Sequence, residues 1–492
     1  MNKETKKITD SKEKSGKTLL KEIRRERDRQ KERADKWKTE SITLRHEIKS
    51  KDLIIKELSK NNSDKTVFKS PKDLSINGSI YPLSVVWLCV SLSHLGISYR
   101  KVCAVLVLIG LFTGLQIRVP SHVSVSNWVQ KTGLYLLKTG GTLLKKGIGK
   151  WCFIIDESYS LGKSRLLVIL GVRLSSLSIK KGGLQQADVV PLVIRSQEHW
   201  KTDDITAALT MACKKIDGTL SYIVSDQGKN LVCSYKENDI AHIPDWAHYS
   251  ANILEKCYSQ TTDFKVFNEK MGVFKIKKQQ SSHSQYAPPT MSVKIRFMNY
   301  LPFIDWANTM LINFEKLPDL IALDLHFLQT SRFFIGEMTD LFYKADEIGL
   351  ILKTNGINKE SQAKAIKLLD SLERKYLDNL RVKEFVASVT QYFELTMSIY
   401  YTQKEENLAY FDGLLASSEI IESIFGKLKH RCSKNPKKGF SSNSLLIPLF
   451  CKAFSPFDVR NAMNNISMVE LEEWKNENLC NRKISSFRNI FK

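Results

Sequence analysis

Two apolar segments of this chain end in an aspartate. Residues 152–155 are followed by Asp156, and residues 222–224 are followed by Ser225 and Asp226. An apolar run that stops at an acid is typical of a buried strand whose tip is exposed. Carboxylate oxygens are the ligands that Mg²⁺ prefers, and two divalent ions held by them can activate an attacking oxygen and stabilise a leaving oxygen. The sequence therefore predicts a metal site for phosphodiester chemistry at Asp156 and Asp226, 70 residues apart.

A third acid is expected from a late helix that packs on the same sheet. Residues 417–431 predict such a helix, because two serines stand where an N-cap belongs and isoleucine and leucine recur at helical spacing. Glu422 lies beside this apolar face and is the predicted third acid, with Glu419 as the alternative. Glu157 is expected to point away from Asp156, because neighbouring residues of a strand face opposite sides.

The elements around these acids follow a definite order. Apolar runs predict strands over 151–155, 165–174, 189–194, 222–224 and 240–243, with helices over 203–213 and 230–237. Three strands, a helix, a strand, a helix and a strand is the order of an RNase H-like core. Helical periodicity then dominates from 261 to 416, with the clearest helices over 305–314, 361–376 and 382–401.

The front of the chain predicts two further parts. Residues 1–64 contain 20 Lys and Arg against 13 Asp and Glu, and a heptad seam in them predicts either a dimeric coiled coil or a solvated single helix. Residues 81–147 predict three helices, the last starting near Ser124 or Ser126. Such a unit is either a helix-turn-helix or a plain helical bundle. In the first case the third helix enters a major groove, and its candidate DNA contacts are Ser126, Asn127, Gln130 and Lys131.

Composition bears on partners and compartment. The formal net charge of +23 favours a nucleic acid partner, because lysine and arginine on phosphates release counterions. Nine dispersed cysteines without a C-x-x-C pair argue against a zinc site and fit a reducing compartment, and the charged N-terminus does not resemble a signal peptide. The apolar run from Val102 to Ile117 is short for a membrane span and predicts a buried helix.

Several of these residues resemble the motifs of the DDE transposases of bacterial insertion sequences. Glu422 is followed seven positions later by Lys429, as the third acid of that family often is. The sequence Asp245-Trp246-Ala247-His248 resembles the C/D-x-x-H motif that several transposase superfamilies contain after the second acid. The 196 residues between Asp226 and Glu422 leave room for the all-helical insertion found in such families.

The resemblance implies a function and a set of roles. Asp156, Asp226 and Glu422 would bind two Mg²⁺ or Mn²⁺ ions, and Asp245 and His248 would support the site without binding metal. Lys427 and Lys429 would contact DNA phosphate. The expected activity is strand cleavage and strand transfer on double-stranded DNA, at element ends and target, by a cytoplasmic, nucleoid-associated homodimer or higher homo-oligomer without membrane contact. The alternatives are an inactive or domesticated DNA-binding relative and another RNase H-like nuclease.

The predicted architecture is an α/β RNase H-like core with a mixed five-stranded sheet. An all-α insertion interrupts it, and a helical DNA-binding region and an N-terminal charged helix or coiled coil precede it. The predicted boundaries are 1–64 for the charged helix, 65–80 for a linker, 81–147 for the DNA-binding region, 148–260 for the first part of the core, 261–416 for the insertion, 417–432 for the helix of the third acid and 433–492 for a basic tail.

Overall fold

The computed structural model describes most of the chain after Ser75. The described residues are 76–140, 149–161, 164–174, 184–290, 297–405, 413–431, 440, 442–451 and 454–480. The charged helix or coiled coil predicted over 1–64 lies outside them, as does the linker up to residue 75. By contacts the described chain divides into two units, of which one contains Val105–Val119 and the other contains Ile76–Ala104 and the described residues from Pro120 onward. The mixed α/β class predicted from the sequence is confirmed.

A five-stranded mixed sheet forms the centre of the larger unit. Its strands are β1 (Gly149–Leu161), β2 (Ser164–Arg173), β3 (Val189–Gln197), β4 (Gly218–Ser225) and β5 (His242–Pro244). Their order across the sheet is β3-β2-β1-β4-β5. β1 pairs antiparallel with β2 and parallel with β4, and β5 continues parallel to β4. Because β1 and β4 run in the same direction, Ile155 lies opposite Ser225, and Asp156 and Asp226 come next on neighbouring strands.

β1 is longer than the sequence predicts. It was expected to end before Asp156, but it continues to Leu161 because β2 pairs with it antiparallel beyond the last residue that faces β4. Asp156 is therefore inside the strand and only 5% exposed, not at an exposed tip. The pairing register shifts between Asp156 and Tyr159, which marks a bulge. A bulge locally disrupts the alternation of side chains along a strand.

One face of the sheet packs against two helices, α4 (Thr202–Cys213) and α5 (Lys229–Glu237). Alternate residues of β1, namely Trp151, Phe153 and Ile155, lie on this face and are fully buried. Both helices begin and end within a few residues of their predicted bounds. This packing fixes the sheet, and with it the strand ends that contain the acids.

Helices follow one another after β5. They are α6 (Trp246–Tyr258), α7 (Thr262–Gln279), α8 (Leu301–Ile312), α9 (Asp319–Thr330), α10 (Arg332–Asn355), α11 (Lys359–Lys375) and α12 (Leu380–Glu405). α6 was not predicted. The buried carboxylate of Glu337 accepts hydrogen bonds from Tyr258, Asn379 and Arg381 at 2.6–3.0 Å. These bonds join α6, α10 and α12, so the helical region is tied together by a buried ion pair as well as by its apolar contacts.

Within the described residues, three helices precede the sheet and four follow residue 413. The first three are α1 (Leu83–His94), α2 (Tyr99–Thr113) and α3 (His122–Thr139); the last four are α13 (Glu419–Lys429), α14 (Ile447–Cys451), α15 (Pro456–Asn465) and α16 (Met468–Asn478). α3 begins before Ser124, contrary to prediction, because the Ser121 side chain accepts a hydrogen bond from the Ser124 amide. α14, α15 and α16 lie in the segment predicted as a basic tail and pack against α3.

Two observations concern the apolar run from Val102 to Ile117, most of which lies in α2. It was predicted as a buried helix, but Leu108, Leu111 and Phe112 are exposed, with Phe112 at 94%. Val102 and Leu106 of the same run are fully buried, so the prediction holds for one side of the helix only. Among the described helices, none has the length and apolar character that a membrane crossing requires.

Candidate metal centre

The three predicted acids belong to separate elements, two of which are neighbouring strands of the sheet. Asp156 is in β1, Asp226 directly follows β4, and Glu422 is in the first turns of α13. Burial raises the pKa of Glu422, the neighbouring His248 lowers it, and the negative charge of Asp156 raises it further. The parallel pairing of β1 with β4 puts Asp156 and Asp226 on neighbouring strands, and α13, which contains Glu422, packs against β1.

Asp226 is held by the loop that starts α5. The Gly228 amide donates a hydrogen bond to Asp226 Oδ1 at 3.1 Å, which turns the carboxylate back over the N-terminus of the helix. Negative charge is favoured at a helix N-terminus. A side chain at Gly228 would crowd this site, since an added Cβ would lie 3.2 Å from Asp226 Oδ1. The glycine thus leaves room for the second acid.

Glu157 lies close to Asp226 and Gly228. A Cβ added at Gly228 would lie 3.7 Å from Glu157 Oε1 and 3.2 Å from Asp226 Oδ1. The two carboxylates therefore border the same glycine. Burial raises the pKa of Glu157, and the charge of Asp226 raises it more than that of Asp156 does. Alternation along the strand predicts that Glu157 points away from Asp156, and this stays a prediction.

The buried carboxylate of Asp245 connects the sheet to α13. Its Oδ1 accepts a hydrogen bond from the His248 amide at 3.0 Å and lies 3.1 Å from His248 Nδ1. Its Oδ2 accepts from the Ser418 amide at 2.5 Å and from Ser418 Oγ at 2.8 Å. The Asp245 amide donates to the carbonyl oxygen of Ser225 at 2.8 Å. Burial opposes ionisation of Asp245, but these hydrogen bonds outweigh it and lower the pKa.

His248 lies between Asp245 and Glu422. The hydrogen bond with Asp245 raises the pKa of His248 to about 9, so the imidazole is protonated at neutral pH. Its Nε2 lies 3.9 Å from Glu422 Oε1. The D-x-x-H pair thus has a clear structural role: Asp245 fixes both the first turn of α13 and the ring of His248, and His248 faces the third acid.

The geometry favours Glu422 over Glu419 as the third acid. Glu419 pairs with Lys353 of α10, with Lys353 Nζ 2.5 Å from Glu419 Oε2. Glu422 instead faces His248 and responds to the charge of Asp156. Both acids were considered from the sequence, where their positions on the helix alone could not separate them.

A polar cluster behind Asp226 was not anticipated from the sequence. Tyr235 donates a hydrogen bond to Ser225 Oγ at 3.1 Å, and His242 Nε2 lies 3.1 Å from the same oxygen. Burial lowers the pKa of His242 to about 4, so this ring is neutral at pH 7. The cluster supports the residue directly before Asp226. A histidine and a tyrosine without a recognisable spacing gave no signal by which it could have been found.

The predicted DNA contacts on α3 and α13 differ in their exposure. Gln130 is only 5% exposed and donates to Ser126 Oγ at 2.7 Å, so in this conformation it offers little surface to DNA. It was expected to be accessible, but α1 and the C-terminal helices pack around α3. Asn127 is half-buried, and burial lowers the pKa of Lys131. On α13, Lys427 and Lys429 are exposed, and Lys427 donates to Gln186 Oε1 at 2.7 Å.

The side chains described above offer the type of ligand atom that a hard divalent cation prefers. Asp156, Asp226, Glu157 and Glu422 offer carboxylate oxygens, which Mg²⁺ and Mn²⁺ bind through few protein ligands and several waters. In the part of the chain that the structure describes, no three His, Cys, Asp or Glu side chains are close enough together to form a metal-binding group as they stand. The raised pKa values of Glu157 and Glu422 reflect burial among like charges, an environment that a cation would relieve.

Neither a protein-family model nor a curated protein matches this sequence. The function must therefore be argued from the residues and their arrangement.

Proposed function

We propose that this protein is a DNA transposase of the DDE type, built on an RNase H-like core. It would cut DNA at the ends of a mobile element and join the freed 3′-hydroxyls to target DNA. The observation that supports this is that Asp156 and Asp226 come directly after paired residues of β1 and β4, while Glu422 lies in α13, which packs against β1. The sheet order β3-β2-β1-β4-β5, with β4 and β5 parallel to β1, is the order expected of that core.

The proposed roles follow from the positions of the side chains. Asp156, Asp226 and Glu422 would hold two Mg²⁺ or Mn²⁺ ions, which when bound supply activation of the attacking oxygen and stabilisation of the leaving oxygen. Asp245 positions Glu422 by anchoring Ser418 at the start of α13. Protonated His248, held by Asp245, places a positive charge beside Glu422 and so favours the ionised form of that acid.

The helical region between β5 and α13 supports the proposal in a second way. Lys353, in the helical region, pairs with Glu419. At the end of that region, the carbonyl oxygen of Ala416 accepts a hydrogen bond from the Trp246 amide at 2.9 Å. Both contacts fix the segment that leads into α13. A helical insertion that returns the chain to the sheet is compatible with a late third acid.

The test is cleavage and joining of labelled DNA that contains the sequences flanking the gene of this protein. With Mg²⁺ or Mn²⁺, the wild type should give cleaved and joined products, and Asp156→Ala and Glu422→Gln should lose both while retaining DNA binding. Glu419→Gln is the matched control, one turn away on the same helix, and should remain active. Loss of DNA binding without loss of cleavage in Glu422→Gln would reject the metal-site assignment.

The second candidate function is a DNA-binding relative without cleavage activity. The net charge of +23 favours it as much as it favours the enzyme. Binding of the same DNA by wild type, with no products under either metal, would select this alternative.

A further inference from the structure

The hydroxyl of Ser225, the last residue of β4, takes part in three hydrogen bonds. Ser225 Oγ donates to the carbonyl oxygen of Asp226 at 2.9 Å. Tyr235 donates to the same Oγ at 3.1 Å, and His242 Nε2 lies 3.1 Å from it. Since Tyr235 is in α5 and His242 is in β5, three neighbouring elements meet at this oxygen. Ser225 is fully buried, and Tyr235 is 1% exposed.

The protons available to Ser225 fix the role of each partner. A serine hydroxyl has one proton to donate and two lone pairs that accept. Because the proton of Ser225 is directed at the Asp226 carbonyl, its oxygen must accept from both Tyr235 and His242. We infer that His242 has a proton on Nε2, which also lies 3.4 Å from the carbonyl oxygen of Ser225. The rings of Tyr235 and His242 pack with their centroids 5.0 Å apart, so each holds the other in place.

The bond from Ser225 restrains the backbone of the second acid. The carbonyl oxygen of Asp226 accepts from Ser225 Oγ, and its Oδ1 accepts from the Gly228 amide at 3.1 Å. Asp226 is thus held through both its main chain and its side chain. A carboxylate that binds a metal must keep its place to within about 0.5 Å, and residues that hydrogen-bond around the ligands provide this restraint.

The place of Ser225 in the sheet does not by itself call for a polar side chain. Ile223 and Val224, which precede it in β4, are apolar and fully buried. A buried hydroxyl is costly unless it is paired, and here two further polar side chains supply the donors that it accepts. The one bond that the hydroxyl donates goes to Asp226. The polar cluster is therefore directed at the second acid.

We propose that Ser225, Tyr235 and His242 are positioning residues for the metal site, which fix the peptide of Asp226 so that its carboxylate keeps one orientation toward the ion. This inference rests on the proposed function. The three side chains act through Asp226 and not by contact with the metal or with DNA.

The experiment measures Mn²⁺ binding separately from strand joining. Ser225→Ala removes the hydroxyl, and Tyr235→Phe removes one of its two donors. Tyr300→Phe is the matched control, because it removes an equally buried hydroxyl that bonds to Asn268 in the helical region at 3.0 Å. Mn²⁺ binding to the full chain without DNA is followed by electron paramagnetic resonance of the free ion. Thermal midpoints report on folding.

Ser225→Ala should weaken Mn²⁺ binding about tenfold, the usual cost of losing a residue that orients a metal ligand, and Tyr235→Phe by less. In the joining assay described above, kcat should fall while KM for DNA stays at the wild-type value, because the surface that meets DNA is unchanged. Tyr300→Phe should lower the thermal midpoint about as much as Tyr235→Phe does, yet bind Mn²⁺ like the wild type.

The other outcomes overturn the inference in different ways. If Asp226→Ala abolishes Mn²⁺ binding while Ser225→Ala and Tyr235→Phe leave it unchanged, these residues do not position Asp226, and the proposed function stands. Equal losses of Mn²⁺ binding in Tyr300→Phe and Tyr235→Phe would show a general loosening of the fold instead. If the wild type neither binds Mn²⁺ nor joins DNA, the proposed function fails, and this inference fails with it.

Discussion

Asp245 shows how much of the site depends on one side chain. Its carboxylate is 1% exposed, and its hydrogen-bond partners come from α6 and from the start of α13. A buried carboxylate with several donors holds its neighbours in a defined geometry, and its loss leaves those donors without a partner. The position of Glu422 therefore depends on a residue that need not touch DNA.

Asp245→Asn should lower the free energy of unfolding by about 3 kcal/mol, because an amide cannot accept all the hydrogen bonds that the carboxylate accepts. Urea denaturation would measure this. Asp263→Asn, at an exposed acid 3.5 Å from Arg381, is the control, and its cost should be below about 1 kcal/mol. Equal midpoints for the two variants would contradict the role given to Asp245.

Glu157 shows where residue-level prediction from sequence stops. Asp156, Asp226 and Glu422 were assigned as metal ligands from apolar runs and helical spacing, which are local signals, and that assignment stays a prediction. The interaction of Glu157 with Asp226 was not predicted, because it joins residues far apart in sequence. The hydrogen bond between Ser418 and Asp245 joins residues 173 positions apart, which a local pattern cannot contain.

At the scale of elements, strands and helices with strong periodicity were predicted well. α13 was expected over 417–431 and spans Glu419–Lys429, because its apolar face is regular. The packing of α14, α15 and α16 against α3 was missed. This packing depends on contacts between parts of the chain that are far apart in sequence. Examples are the hydrogen bond of Asn461 with Tyr135 and the close approach of Leu445 to Gly133.

Lys215 joins three elements and gives a prediction about pH. Its ammonium group donates to the carbonyl oxygens of Leu192 in β3 at 2.6 Å and of Leu137 in α3 at 3.4 Å. Burial, and then the charge of Lys138, lowers the pKa of Lys215 from 10.5 to about 8. Between these two values the unfolded chain binds a proton that the folded chain has lost, so this lysine makes stability rise with pH there.

Lys215→Met should therefore reduce the rise in the free energy of unfolding between pH 8 and pH 10.5 by about 2 kcal/mol. Urea titrations at several pH values would measure it. Lys214→Met changes an exposed neighbour and should follow the wild-type curve. Parallel curves for Lys215→Met and the wild type would show that Lys215 does not lose its proton in this range.

Lys429 gives a prediction about salt. If it contacts a phosphate, Lys429→Gln should reduce the slope of log affinity against log salt concentration by about 1, because one fewer counterion is released. The measurement is anisotropy of a labelled duplex at several salt concentrations. Lys364→Gln changes a lysine in α11 that pairs with Glu360, and it should leave the slope unchanged. A slope that Lys429→Gln does not alter would remove Lys429 from the DNA contacts.

At the scale of the whole molecule, the heptad seam in residues 1–64 gives a prediction about self-association. The expected state is a homodimer or a higher homo-oligomer. The double variant Leu44→Glu with Ile48→Glu places two acids in the apolar end of the seam and should shift sedimentation of the full chain toward the monomer. The same change to glutamate at Lys49 and Lys56, which lie off the seam in the heptad pattern, serves as the control. An unchanged mass would favour a single helix.

The bond between Ser418 and Asp245 also has a consequence for protein synthesis. A ribosome makes Asp156, Asp226 and Asp245 long before it reaches Ser418. A truncated product that ends in the helical region has a complete sheet, but its Asp245 lacks two of its hydrogen-bond donors and the third acid is missing. Truncated chains should consequently be less stable than the full chain, since the buried carboxylate of Asp245 would lack two of its donors.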